Sequence, residues 1–119
     1  MGVSRGDWIL GDGVGMIANM KARLLQRNEV LVDQDMWAEI VVWVVPIPVR
    51  GSEHEYKYRF ALIDKEKCVL RYDNEAGKGD HKHIGEVEVP YVFWTMERLQ
   101  DDFWADVERY QRGGRSWLS

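Results

Sequence analysis

From Trp37 to Val45 the chain is apolar at both of its alternating sets of positions, in a run rich in Val, Ile and Trp. A strand with one face in water alternates, so this run predicts a central strand covered on both faces. Pro46 and Pro48 end its pairing, and Arg50-Gly51-Ser52 predicts a turn. The next run alternates clearly, with Tyr56, Tyr58, Phe60 and Leu62 set against Lys57, Arg59, Ala61 and Ile63. It predicts a half-buried strand. After the short polar link Asp64 to Lys67, Cys68, Leu70 and Tyr72 alternate with Val69, Arg71 and Asp73, which predicts the returning strand of a hairpin. Placing Phe60 opposite Tyr72 puts Arg59 opposite Asp73 and keeps aromatics and charges on separate faces. A slip of one residue would set Phe60 against Arg71. Lys57, Arg59, Arg71, Asp73 and Glu75 are therefore expected on one polar face.

Beyond a glycine-containing loop, HIGEVEV resumes alternation and predicts one further short strand, ended by Pro90. The period then changes. Met96, Leu99, Phe103, Val107 and Tyr110 recur at helical spacing, while Asp101, Asp102, Asp106 and Arg109 are expected to point outward. Thr95 suits the N-cap and Gly113 the C-terminal stop. The whole predicts an α+β domain, an antiparallel sheet of four to five strands with a C-terminal helix packed on one face. It should span residues 20–112. Residues 1–19 read as a leader in which Asp7, Asp12 and five glycines break any signal-like apolar segment, and residues 113–119 read as a tail.

Composition narrows this picture only modestly. The 119 residues suffice for one cored domain and not for two. A net charge of −4 gives no polybasic or acidic arm, so any nucleic acid must be met by a local patch. Residues 50–83 carry eight Lys or Arg against seven Asp or Glu, whereas residues 95–112 carry three against five, so the loop side is the more positive. Cys68 is the single cysteine, which excludes an internal disulfide and fits a reducing, cytoplasmic setting. No stretch approaches the roughly 20 apolar residues that span a bilayer.

The candidate chemistry lies in YDNEAGKGDHKHIGE. Gly77 and Gly79 permit backbone conformations closed to other residues and leave amides open to a ligand, although GKGD lacks the spacing of a phosphate loop. His81 and His83 are two apart, so on a strand they share a face with Cα atoms about 7 Å apart. Together with Asp80, Asp73, Glu75 or His54 they could ligate zinc, manganese or iron. Equally, they could act as general base and general acid on a ribose 2′-hydroxyl and a leaving oxygen, with Lys or Arg stabilising phosphate charge. Solvated histidines beside an Arg59–Asp73 ion pair would explain the same residues without any function.

Three segments, YKYRFALID, YDNEAGKGDHKH and VPYVFWTMERLQDDF, together resemble the TumE family of toxins from prokaryotic toxin–antitoxin modules. The resemblance runs from Met20 to Tyr110. It implies a small cytoplasmic toxin neutralised by direct binding of a cognate antitoxin, and toxins of this size are often ribonucleases. The residues it singles out are Tyr58, Arg59, Tyr72, Asp73, Asn74, Gly77, Lys78, Gly79, Asp80, His81 and His83. The resulting expectation is an endoribonuclease acting on cellular RNA without metal or other cofactor. In it His81 and His83 serve as acid and base, Lys78 and Arg59 hold the phosphate, and Asp80 or Asp73 orients a ring. Lys57, Arg59, Tyr72, Asp73, Asn74, Gly77 and Gly79 would contact substrate. No membrane is expected, and a homodimer is compatible. The rival expectations are a non-catalytic protein-binding module and a metal-dependent nuclease.

Overall fold

A computed structural model of the chain describes residues 22–113; the expected leader 1–19 and the residues beyond 113 lie outside this range. Among the described residues six strands, β1 (Arg23–Asp33), β2 (Met36–Val44), β3 (Tyr56–Asp64), β4 (Lys67–Glu75), β5 (Gly79–Ile84) and β6 (Val87–Pro90), precede the helix α1 (Met96–Gly113). They form a single antiparallel sheet in sequential order β1-β2-β3-β4-β5-β6. The α+β class and the C-terminal helix match expectation. The strand number does not.

Two local causes account for the difference. In β1, register shifts between Leu24 and Gln26 and between Leu31 and Asp33 each insert one extra residue against β2, which scrambles the period of two. Its apolar residues Leu24, Leu25, Val30 and Leu31 are correspondingly exposed. HIGEVEV, in turn, is two strands. Gly85 adopts φ +61°, and the chain reverses over Gly85-Glu86 so that Ile84 faces Val87 and His83 faces Glu88. Glycine accepts that left-handed conformation without steric cost.

The β3–β4 register pairs Phe60 with Tyr72 and Arg59 with Asp73, as separation of aromatics from charges requires. An irregularity between Leu62 and Ile63 then pairs Ile63 with Cys68. Cys68 thereby leaves the alternation it was expected to share with Leu70 and Tyr72.

The core lies between the sheet and α1. Ala38, Ile40, Val42, Tyr58, Phe60, Leu62, Leu70 and Tyr72 from β2, β3 and β4 meet Leu99, Phe103 and Val107 of the helix. Phe103 is fully buried and packs edge-on against Phe60 and Tyr72, with ring centroids 5.5 and 5.9 Å away. Such aromatic contacts add to the area buried. Thr95 caps the helix, its Oγ accepting from the amide of Arg98 at 3.0 Å. Asp106 departs from its expected outward direction. It is 4 % exposed and accepts hydrogen bonds from the Tyr72 hydroxyl and the Lys82 ammonium, which compensate its burial. Phe103→Ala should lower unfolding stability by about 3–5 kcal/mol in a denaturant titration, through lost transfer energy and a cavity at the centre of the core. Arg112→Ala, on the solvent side of the same helix, should change it by no more than about 0.5 kcal/mol.

Candidate functional site

Alternation sends Arg59 and Ala61 of β3, Arg71 and Asp73 of β4, and His81 and His83 of β5 to the face opposite α1. Cross-strand pairing lines up Arg59, Asp73 and His81 in one row, and Ala61, Arg71 and His83 in the next. Pro90 and Glu88 of β6 extend the two rows. His81 and His83 thus share a face with Arg59, and their ring centroids are 5.0 Å apart.

His81 is 3 % exposed and held on both sides. Its Nδ1 lies 3.0 Å from the Gly79 carbonyl, so this nitrogen carries a proton and donates it. Its Nε2 faces Asp73 Oδ1 at 2.9 Å, with carboxylate oxygens of Glu75 and Glu88 each 3.7 Å away. The separation from Asp73 is that of an ion pair, but the angles are not those of a hydrogen bond. His81 Nε2 and Asp73 Oδ1 consequently remain buried polar atoms without a hydrogen bond. His83 has a different environment. The guanidinium of Arg71 can only donate, and its Nη2 lies 2.7 Å from His83 Nε2, so that nitrogen offers its lone pair. Desolvation and the Arg71 charge both hold the His83 pKa below its ordinary value. Arg71 Nε also lies 3.1 Å from Asp73 Oδ2. At the rim, the half-exposed Lys78 ammonium is 3.8 Å from Glu75 and 3.5 Å from Glu88. One ligand-capable atom each from Asp73, His81 and His83 lies within 4.8 Å of the others, a set of two imidazoles and a carboxylate able to hold a metal.

The other residues expected at the site separate from this cluster. Asp80 points to the helix side of the sheet, where it accepts from Ser52 Oγ at 2.7 Å and the Tyr58 hydroxyl at 2.8 Å. His54 Nδ1 accepts from the Tyr56 amide, so its Nε2 donates to Asp80, also at 2.7 Å. Asp80 therefore orients neither His81 nor His83. Desolvation alone would raise its pKa, but the bonds from His54, Ser52 and Tyr58 outweigh it and hold the carboxyl below the usual range. Desolvation and the same carboxylate push the Tyr58 hydroxyl far above its ordinary value.

Asn74 is fully buried. Its side chain bonds the Tyr58 amide, the Tyr56 carbonyl and Ser52 Oγ, replacing backbone pairing where β3 and β4 diverge. Lys57 is 2 % exposed and donates to the Asn74 carbonyl at 2.6 Å. Tyr72 belongs to the core. Arg59 is on the expected face but pairs with Glu39 at 3.2 Å. The glycines serve packing rather than open amides: Gly77 donates to the Arg50 carbonyl, and a Cβ on Gly79 would meet the Gly51 oxygen at 2.5 Å.

Two members of the cluster were outside the expected set. Arg71 was expected on the polar face with Asp73, but without a role in the site. Glu88 enters only through the reversal at Gly85-Glu86. Ser52 carries no local signal, and His54, expected as one possible metal ligand beside His81 and His83, pairs with Asp80 instead; the loop after β2 brings them there across 28 and 26 residues.

The family model described as Toxin TumE matches residues 19–111, which include every strand and most of α1. The chain belongs to the TumE toxin family. No curated protein and no solved structure matches it. This TumE toxin therefore carries the role of a toxin component, for which an antitoxin is the partner that the family implies. Among its described residues no helix is long and apolar enough to cross a membrane.

The Asp80 network has a definite pH sign. Because its folded pKa is depressed, Asp80 contributes stability that is present above its unfolded value of about 3.8 and is lost as pH falls through the folded value. Denaturant titrations from pH 6 to pH 2 should show this loss in the parent toxin. In Asp80→Asn, stability at neutral pH should be lower and the loss below pH 4 shallower.

Proposed function

We propose that this TumE toxin is an endoribonuclease acting on cellular RNA, with its active site at Asp73, His81, His83 and Arg71. The observation carrying this reading is that the sheet delivers two imidazoles, a guanidinium and a carboxylate to the face opposite α1, with the Lys78 ammonium at its rim. Phosphodiester cleavage needs groups that act on the attacking and leaving oxygens and positive charge for the phosphate. His81, His83 and Asp73 are suited to the first task, and Arg71 and Lys78 to the second. Their side chains are 29 % and 56 % exposed, so both cations remain accessible to a polyanion. Lys78 replaces no structural partner inside the core. Arg59, Asp80, Asn74 and Tyr72 support the sheet that presents these groups. The excess of basic residues over residues 50–83, against the acidic helix, favours approach of RNA from the same side.

Purified toxin incubated with cellular RNA in the presence of divalent ions should cleave it. Cleavage should fall by about 100-fold or more in His81→Gln and His83→Ala, each checked for native circular dichroism. Lys78→Ala should weaken RNA binding and flatten its salt dependence. RNA left intact by the parent toxin, with growth inhibition unchanged by His81→Gln, would sink the ribonuclease reading in favour of a non-catalytic protein-binding module.

A further inference from the structure

Buried polar atoms are nearly always hydrogen-bonded, and two of the exceptions here face each other at the proposed active site. His81 Nε2 and Asp73 Oδ1 are 2.9 Å apart, neither has a hydrogen bond, and their side chains are 4 % and 5 % exposed. With Nδ1 committed to the Gly79 carbonyl, Nε2 is the ring atom that faces carboxylate oxygens of Asp73, Glu75 and Glu88. A ring nitrogen set among three carboxylates calls for positive charge there, from a ring proton or a bound cation, and the missing hydrogen bond between His81 Nε2 and Asp73 Oδ1 favours the cation. Lys78 reaches Glu75 and Glu88 at the rim, but no contact joins it to Asp73. The same three carboxylates would repel an RNA phosphate.

The surroundings are those of metal ligands. An imidazole that binds a metal typically donates its other N–H to a carbonyl or carboxylate, and a ligating carboxylate is itself held from behind. His81 donates to Gly79, and Arg71 lies against the second oxygen of Asp73; its N–H on His83 Nε2 is the one contact that a metal would have to displace. We propose that Asp73, His81 and His83 bind one divalent transition-metal ion of the zinc or manganese class, with Glu75, Glu88 or water completing its coordination. Bond lengths of about 2.0–2.2 Å require donor atoms closer together than the present 4.8 Å spread, and the partly exposed His83 ring is the member that closes in, exchanging the Arg71 N–H for the ion. This inference rests on the ribonuclease reading only for its consequence. There the ion would supply the positive charge that three carboxylates otherwise deny the phosphate, and a bound water would take over the proton transfer that ligating imidazoles can no longer perform, in place of the metal-free scheme expected from the sequence.

The test begins without RNA. Full-length toxin stripped with chelator and dialysed is titrated calorimetrically with Zn²⁺ and with Mn²⁺, and Co²⁺ uptake is followed by visible absorption. One site per chain is expected. Asp73→Asn and His81→Gln should weaken it by more than about 100-fold, beyond the usual cost of losing an outer partner, while His54→Gln leaves it unchanged. Equal metal uptake by parent, Asp73→Asn and His81→Gln proteins with native circular dichroism would overturn the site. In a second arm, stripped toxin should cleave RNA only after one equivalent of metal is restored. Cleavage persisting in excess chelator overturns the metal dependence and leaves the ribonuclease reading standing. Specific metal uptake with no RNA cleavage under any ion supports the site and overturns that reading.

Discussion

The alternation of side chains across β3, β4 and β5 is the constraint on which everything else depends. Phe60 and Tyr72 pack under α1 only if Arg59 and Asp73 face away from it, and His81 follows Asp73 through the next pairing. A shift of one residue between β3 and β4 would bury the guanidinium of Arg71 against Phe103, and one between β4 and β5 would turn His81 to the core side. Burial of the aromatic face and assembly of the polar cluster are therefore one event. The hydrophobic contribution of Phe60, Tyr72 and Phe103 is what holds a chemically costly arrangement of carboxylates and imidazoles together.

The same alternation makes β5 a strand with two jobs. Asp80 and Lys82 reach to the helix side, one to Ser52, His54 and Tyr58, the other to Asp106. They bracket His81 along the chain. Between two anchors the backbone has little freedom to rotate, so the His81 ring is presented from a fixed support rather than from a loop. The carboxylate at Asp80 acts at a distance of one residue, by fixing the strand, instead of by touching the ring.

Much of this was legible in the sequence where burial imposes a period. The β3–β4 register, the helix stripe and the common face of His81 and His83 follow from residues whose placement has only one way to keep Phe60 and Tyr72 dry. Legibility ended where geometry breaks the period. Bulges at Leu25 and Val32 hid β1, and Gly85 folded one apparent strand into two. Residues of the YDNEAGKGDHKH segment also divide by a rule that composition conceals. Asp73, His81 and His83 gather on one side, whereas Asn74 and Asp80 satisfy buried backbone and loop groups on the other. Proximity in sequence made them look like a single site. The decisive partners, Ser52 and His54, arrive from a loop whose path is set by tertiary packing alone.

Gly51 and Gly79 touch backbone to backbone. A Cβ on the first would meet the amide of the second at 2.7 Å, and both residues have positive φ. Neither can relieve the other, since the obstruction is main chain rather than a movable side chain. This seam joins the loop carrying Ser52 and His54 to the hairpin tip carrying Lys78. A change of charge at the rim positions Glu75, Lys78 and Glu88 meets no backbone and alters what the cluster attracts, while the seam beneath them stays closed to every side chain.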